Sequence, residues 1–265
     1  MGVAYNPKII TDGLVFSLDM ANPKCYPSGF GSKTGGLKDL SLNPVGTNGL
    51  MTFDTNSGDG PDFVDEGERS HFHFTRTERN RIVIAQNHGG SNHLLTKMGH
   101  SGSGTEALAM TIEFVIRIQS APTGAGGAGF GIIRPNAGEA IGCHIRNNSS
   151  VSGTGAVNFG YVSQSNYTNN NSPVVVVGEW YYGAVTRDNT AGGSSATAKW
   201  YDKNGLSKTN TSVNLQTVFG TTSIQIGNQP GAFNGDIALV RVYKRDLTES
   251  EVRTNFEALR GRFGL

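Results

Sequence analysis

The feature that most constrains this chain is an alternation of apolar and mixed side chains with period two. It is clearest in Met110–Ile118, where Met110, Ile112, Phe114, Ile116 and Ile118 share one face and Thr111, Glu113, Val115 and Arg117 share the other. Successive side chains on an extended strand point to opposite sides, so this run makes a strand with one oily face and one mixed face. The pattern recurs from end to end. Leu14, Phe16 and Leu18 fall together, as do Ile141, Cys143 and Ile145, then Val157, Phe159 and Tyr161, and then Ala238, Val240 and Val242. Trp180, Tyr182 and Ala184 alternate with Tyr181, Gly183 and Val185. Strands of this kind belong to an antiparallel sandwich, not to a parallel sheet buried on both faces.

Composition supports many short strands joined by tight turns. There are 37 glycines among 265 residues and only 16% of residues are charged. Gly costs roughly 1 kcal/mol against Ala inside a helix, so a helical body is disfavoured. Asn204-Gly205, after Lys199-Trp200-Tyr201, marks a hairpin turn with positive φ, and Asn234-Gly235 reads the same way before the last long strand. The Gly- and Ala-rich stretch 123–131 reads as a loop within one domain spanning 1–265. The stretch Gly29 to Asp62 has little periodicity and is expected to cross the surface. One helix is legible. Thr248-Glu249-Ser250-Glu251 is a capping box, Leu247 and Val252 sit at the staple positions, and Val252, Phe256 and Leu259 form one apolar face, with Gly261 as the expected stop.

Several function classes are disfavoured at this level. A formal net charge of +1 offers no electrostatic footprint for nucleic acid. No apolar run approaches the ~20 residues that span a bilayer, so no membrane insertion is expected. The first residues, Met1 to Lys8, do not read as a secretory signal. Two cysteines, Cys25 and Cys143, make no disulfide framework and read as buried, reduced thiols of a protein made in a cytoplasm.

The run Phe233 to Val252 (Phe233-Asn234-Gly235-Asp236, an alternating strand, then Lys244-Arg245-Asp246-Leu247-Thr248-Glu249) resembles the closing motif of the concanavalin A-like lectin/glucanase superfamily, in its laminin-G-like branch. Gly178 to Asp188 and Lys199 to Gly205 resemble the adjacent strands and their Asn-Gly hairpin. Thr11 to Lys24 resembles the opening strand of phage-encoded members, and Asn255 to Gly264 resembles the end of phage virion proteins of this type. The likeness is good at the chain ends and over 178–252, and weak from Gly29 to Asn92. It implies an all-β fold, a two-sheet antiparallel jelly-roll sandwich with a short C-terminal helix. It also implies a structural or glycan-binding role, although a fold alone never fixes a function.

Chemistry is harder to find. A glucanase of this superfamily needs two carboxylates on one strand face, and a Glu-x-Asp-x-x-Glu-like run is absent. There is no Gly-x-Ser-x-Gly elbow. No catalytic residue is therefore assigned. The acidic cluster Asp59, Asp62, Asp65, Glu66 and Glu68 reads as a solvated, turn-rich loop without strand alternation. No cofactor is expected. If an ion is held it is calcium, with Asp59 and Asp62 as the candidate ligands and Asp12, Asp19 and Asp236 as further oxygen donors, the resemblance implying turn capping for Asp12 and Asp236. His71 and His73 share a strand face, while His88, His93 and His100 lie in a loop. Their spacing matches no compact metal motif, so they read as structural or surface groups.

Sugar binding needs an aromatic platform beside amides. The loop candidates are Tyr161, Tyr167, Asn169 and Asn170, against the plainer reading of a polar loop beside a core tyrosine. Trp180 and Trp200 lie on strand patterns and are expected to pack in the core. The expected function is a non-catalytic phage virion structural protein (a capsid decoration, fibre, or neck or tail component) that binds host-surface polysaccharide. The expected partners are other virion proteins and further copies of itself, and the expected location is the virion, assembled in the host cytoplasm. The alternatives are a free carbohydrate-binding lectin and a polysaccharide-degrading enzyme of the glucanase type.

Overall fold

The strongest alternating run becomes the centre of the molecule. The computed structural model describes residues 8–26, 37–41, 52–54, 60–77, 80–84, 94–98, 109–122, 130–135, 142–147, 153–160, 173–188, 196–213, 224–227 and 233–265. Met110–Ile118 is β6, which pairs along its length with β11 (Trp180–Arg187) on one side and β15 (Gly235–Tyr243) on the other. Outward from β11 come β12 (Ala196–Asp202) and β13 (Gly205–Val213); beyond β15 come β4 (His71–Phe74) and β3 (Asp62–Val64). β1 (Leu14–Asp19) also lies against β15, beside its C-terminal half.

A second antiparallel sheet stacks on the first. Its order is β10 (Val174–Val175), β9 (Gly155–Gly160), β8 (Gly142–Asn147), β7 (Phe130–Pro135), β14 (Ile224–Ile226), β5 (Arg81–Ile84) and β2 (Thr52–Asp54). The fold is the all-β jelly-roll sandwich expected. Phe16, Leu18, Ile112, Phe114, Ile116, Ile118, Ile145, Ile226 and Val240 are buried together between the sheets. Burial of such side chains contributes about 1.5–3 kcal/mol each relative to exposure. Gly183 sits opposite Phe114 because a Cβ there would run into the Phe114 ring.

The outer face of the first sheet is covered as well. After the single-turn helix α1 (Leu94–Lys97), helix α2 (Glu249–Phe263) starts on the anticipated capping box, with the Glu251 amide donating to the Thr248 hydroxyl at 3.3 Å and the Thr248 amide donating to Glu251 Oε2 at 2.9 Å. Its apolar face, Val252, Phe256, Leu259 and Phe263, closes a second core over Val115, Tyr182, Ala184, Leu239 and Tyr243. The helix runs through Gly261 and ends at Gly264, whose φ of 68° gives the left-handed C-cap. The stop expected at Gly261 is thereby corrected: Gly is tolerated within an exposed turn, and the cap falls where φ turns positive.

Four other expectations change. A bulge between Ile237 and Leu239 moves Ala238 to the helix side, away from Val240 and Val242. A bulge between Leu14 and Phe16 likewise separates Leu14 from Phe16 and Leu18. Thr111 and Glu113, on the mixed face of β6, are both 0% exposed because α2 lies over that end of the sheet. The stretch Gly29 to Asp62 is not only a surface excursion. It supplies β2, and Leu37, Asp39 and Ser41 are buried, with Asp39 Oδ1 accepting from the Ser17 amide at 2.8 Å. The hairpin between β12 and β13 turns at Lys203-Asn204, and Gly205 carries the positive φ of 105°.

Candidate functional site

A groove opens where the end of β1, the turn before β4 and the last turns of α2 meet. Its volume is about 1030 Å³. Its floor is aromatic. Tyr26 packs on Phe63 with ring centroids 4.5 Å apart, and both rings meet Phe72 edge-on. The first wall is the turn 19–26, folded by local hydrogen bonds: the Asn22 carbonyl accepts from the Cys25 and Tyr26 amides, and Asp19 Oδ1 accepts from the Ala21 amide. The second wall is the 3-10 turn Gly67–Arg69, where Asp65 Oδ1 accepts from the Gly67 amide and the Ser70 hydroxyl. The third wall is Glu257, Ala258, Arg260, Gly261 and Arg262 on α2.

Arg262 fastens the three walls. Its Nη1 and Nη2 donate to the two carboxylate oxygens of Asp19 at 2.8 Å each, and its Nε donates to the Glu68 carbonyl at 2.9 Å. Its own carbonyl accepts from Arg69 Nε at 2.8 Å. A bidentate guanidinium–carboxylate pair fixes geometry as well as charge, so the groove is framed before any ligand arrives. Chemically it offers what a sugar needs: an aromatic surface for the apolar side of the ring, and amide, hydroxyl, carboxylate and guanidinium groups for its hydroxyls.

Beside the groove, a row of side chains crosses five strands on the outer face of the first sheet. Asp62, His73, Asp236, Arg117 and Trp180 stand directly opposite one another in register. Asp236 is 1% exposed. Its Oδ1 accepts from His73 Nδ1 at 2.7 Å and its Oδ2 from Arg117 Nε at 2.7 Å, while His71 Nε2 stands 3.5 Å from Oδ1. Arg117 lies over the Trp180 ring, which also packs on Phe263. Under the other half of α2, Glu113 accepts from Tyr182 Oη at 3.0 Å, Arg241 Nη1 at 3.2 Å and Asn255 Nδ2 at 3.3 Å. Asp236 pins strands to one another and Glu113 pins strands to α2 through Asn255, each closed off by its donors.

The candidates named from sequence fare differently. Tyr161, Tyr167, Asn169, Asn170 and Asp59 lie outside the described residues, as do His88, His93 and His100. Asp62 is exposed on β3, so the acidic stretch does contain a strand, formed because Phe63 pairs with Phe72 of β4. Among the described residues no three His, Cys, Asp or Glu side chains converge as a metal site. Asp19 is held by Arg262, and exposed Asp12 pairs with Arg245. Asp236 does not cap a turn; it is the buried joint of the cross-strand row. Trp200 is in the interlayer core, whereas Trp180 is only partly buried, on the helix side. Both thiols are free and buried, and burial pushes that of Cys25 up to about 12 and that of Cys143 higher still. The groove itself escaped the sequence reading, since Asp19 and Arg262 are 243 positions apart.

A family model described as the concanavalin A-like lectin/glucanases superfamily matches residues 88–253. No curated protein matches the chain. Among solved structures it is similar to domain 4 of AbnA, a GH43 extracellular arabinanase from Geobacillus stearothermophilus, in complex with arabinotriose. That pair is 13% identical with a TM-score of 0.56, covering 92% of this chain and 98% of the other. It is also similar to the binding domain of botulinum neurotoxin DC in complex with rat synaptotagmin II, with a TM-score of 0.58, 13% identity and coverage of 94% and 52%. The binding domain of Paraclostridial Mosquitocidal Protein 1 gives a TM-score of 0.54, 15% identity and coverage of 92% and 52%. The chain spans about half the length of these two structures. At such identities the likeness is one of fold.

Proposed function

The chain belongs to the concanavalin A-like lectin/glucanases superfamily, and from that premise we propose that it is a non-catalytic glycan-binding protein whose groove between β1, the 3-10 turn and α2 holds the sugar. The observation that carries this reading is the aromatic floor of Tyr26 and Phe63 inside a groove of about 1030 Å³, framed by polar side chains. Two of the solved structures it resembles are named as binding domains, and a third is named in complex with arabinotriose. The non-catalytic part is supported by the state of two of the groove's four carboxylates, the other two, Asp65 and Glu68, standing exposed on one surface turn. Asp19 is bound at both oxygens by Arg262, and Glu257 by Arg253 and Arg260. A carboxylate committed to guanidinium groups is a poor proton donor or nucleophile.

Within this reading, the protein is a structural component of a phage particle, present in several copies beside other virion proteins, and the glycan is a host-surface polysaccharide. The support is the resemblance of Thr11 to Lys24 and of Asn255 to Gly264 to phage virion proteins.

The test is a glycan array probed with the wild-type chain and with Gly261→Trp. Gly261 is exposed on the groove wall with open space around its Cα, so an indole there fills the groove without entering either core. Saturable binding to at least one glycan, lost in Gly261→Trp, is the expected result. Binding to no glycan, or binding indifferent to the indole, overturns the assignment.

A further inference from the structure

We propose that this groove discriminates by charge: it takes uncharged and amine-bearing glycans and turns away carboxylated ones. The inference rests on the reading of the groove as a glycan site and adds the chemical class of its ligand. Among the described residues four carboxylates line the groove, Asp19, Asp65, Glu68 and Glu257, against two guanidinium groups, Arg260 and Arg262, and no lysine or histidine.

The two cations are already engaged. Arg262 directs Nε at the Glu68 carbonyl and both Nη atoms at Asp19. Arg260 Nε stands 2.6 Å from Glu257 Oε2, and Arg253 binds the other oxygen. Arg69, next to the rim, turns its Nε to the Arg262 carbonyl. Two carboxylates of the lining, Asp65 and Glu68, are exposed at the rim, and the hydrogen bonds of Asp65 come from neutral donors, the Gly67 amide and the Ser70 hydroxyl; Lys24, Arg69 and Arg260 are exposed around them.

The helix adds to the same sign. Residues 257–262 of the groove wall form the C-terminal end of α2, where the backbone dipole carries a partial negative charge. An anionic sugar entering here meets like charge from the lining carboxylates and the helix end, while the two lining guanidinium groups are already engaged. An ammonium group meets the opposite. Hydroxyls meet acceptors, which suits them without regard to net charge.

The experiment is calorimetric titration of the full chain at low salt with three probes of equal length: the β-1,4-linked glucosamine trimer, its fully N-acetylated form, and trigalacturonate. The expected order of affinity is amine-bearing, then neutral, then acidic, with roughly tenfold between the ends, narrowing as salt screens the rim. The double variant Asp65→Asn with Glu68→Gln keeps the turn-capping oxygen and is expected to remove most of that spread, whereas a merely structural defect weakens all three probes alike. Trigalacturonate binding as tightly as the neutral probe overturns the charge selection and leaves the glycan reading standing. Binding of none of the three overturns both.

Discussion

Glu113 offers the sharpest test of how the sheet and the helix are joined. It is 0% exposed, and its partner Arg241 is 3% exposed. Burial is the largest influence on the Arg241 cation and pulls it toward neutrality, yet Glu113, Tyr243 and Asp19 together outweigh it and leave its pKa raised. In Glu113→Ala the other donors keep partners: Tyr182 Oη still donates to the Val252 carbonyl and Asn255 Nδ2 to Tyr243 Oη. The main cost is thus the stranded Arg241. Removing one member of a buried ion pair costs about 3–5 kcal/mol. At roughly 2 °C per kcal/mol for a chain of this size, Tm falls by about 6–10 °C. Urea unfolding of Glu113→Leu, of Arg241→Met and of the double variant carrying both measures the coupling. The double variant is expected to be no less stable than either single one, because apolar replacement removes both desolvated charges at once. A loss under about 1 kcal/mol in Glu113→Ala, or strictly additive losses, refutes the reasoning.

Glu251 is held down to about 2, chiefly by its hydrogen bonds from Arg245. Its contribution is complete above its ordinary value of 4.5 and is lost as pH falls toward 2. It is a partly exposed pair, so the loss is at most about 1 kcal/mol; Glu251→Gln flattens the acid limb of a urea-midpoint titration, and an unchanged limb counts against the pair. Gly183→Ala drives a methyl into the Phe114 ring and lowers stability by about 1–3 kcal/mol, read from the same urea curves. Cys25 and Cys143 stay inert to a thiol reagent at pH 8 in the folded protein and react as two equivalents once it is unfolded; rapid reaction of either in the native state contradicts their burial.

The strands were legible because period two is a local property. Met110–Ile118 shows both its faces without reference to any other segment, and the capping box at Thr248 needs only four residues. What alternation does not carry is the identity of whatever covers the second face. Glu113 and Thr111 sit on the mixed face in the sequence, and a polar side chain on an outward row has the same pattern whether it meets water or a helix. Bulges at Ala238 and Val15 shift a row by one residue, and nothing in the apolar pattern marks an inserted position. The groove was illegible for a different reason. Tyr26, Phe63 and Arg262 come from three distant segments, and only their packing makes them neighbours. His71 and His73 were paired correctly on one face, but their shared partner Asp236 lies 163 residues beyond His73.

Backbone amide resonances followed by NMR while a glycan is added test the central claim most directly. The account predicts that shifts concentrate at Asn22, Tyr26, Asp65 to Ser70 and Glu257 to Arg262, and that the glycan is recovered uncut. Shifts confined to another face, or a shortened glycan, would contradict it.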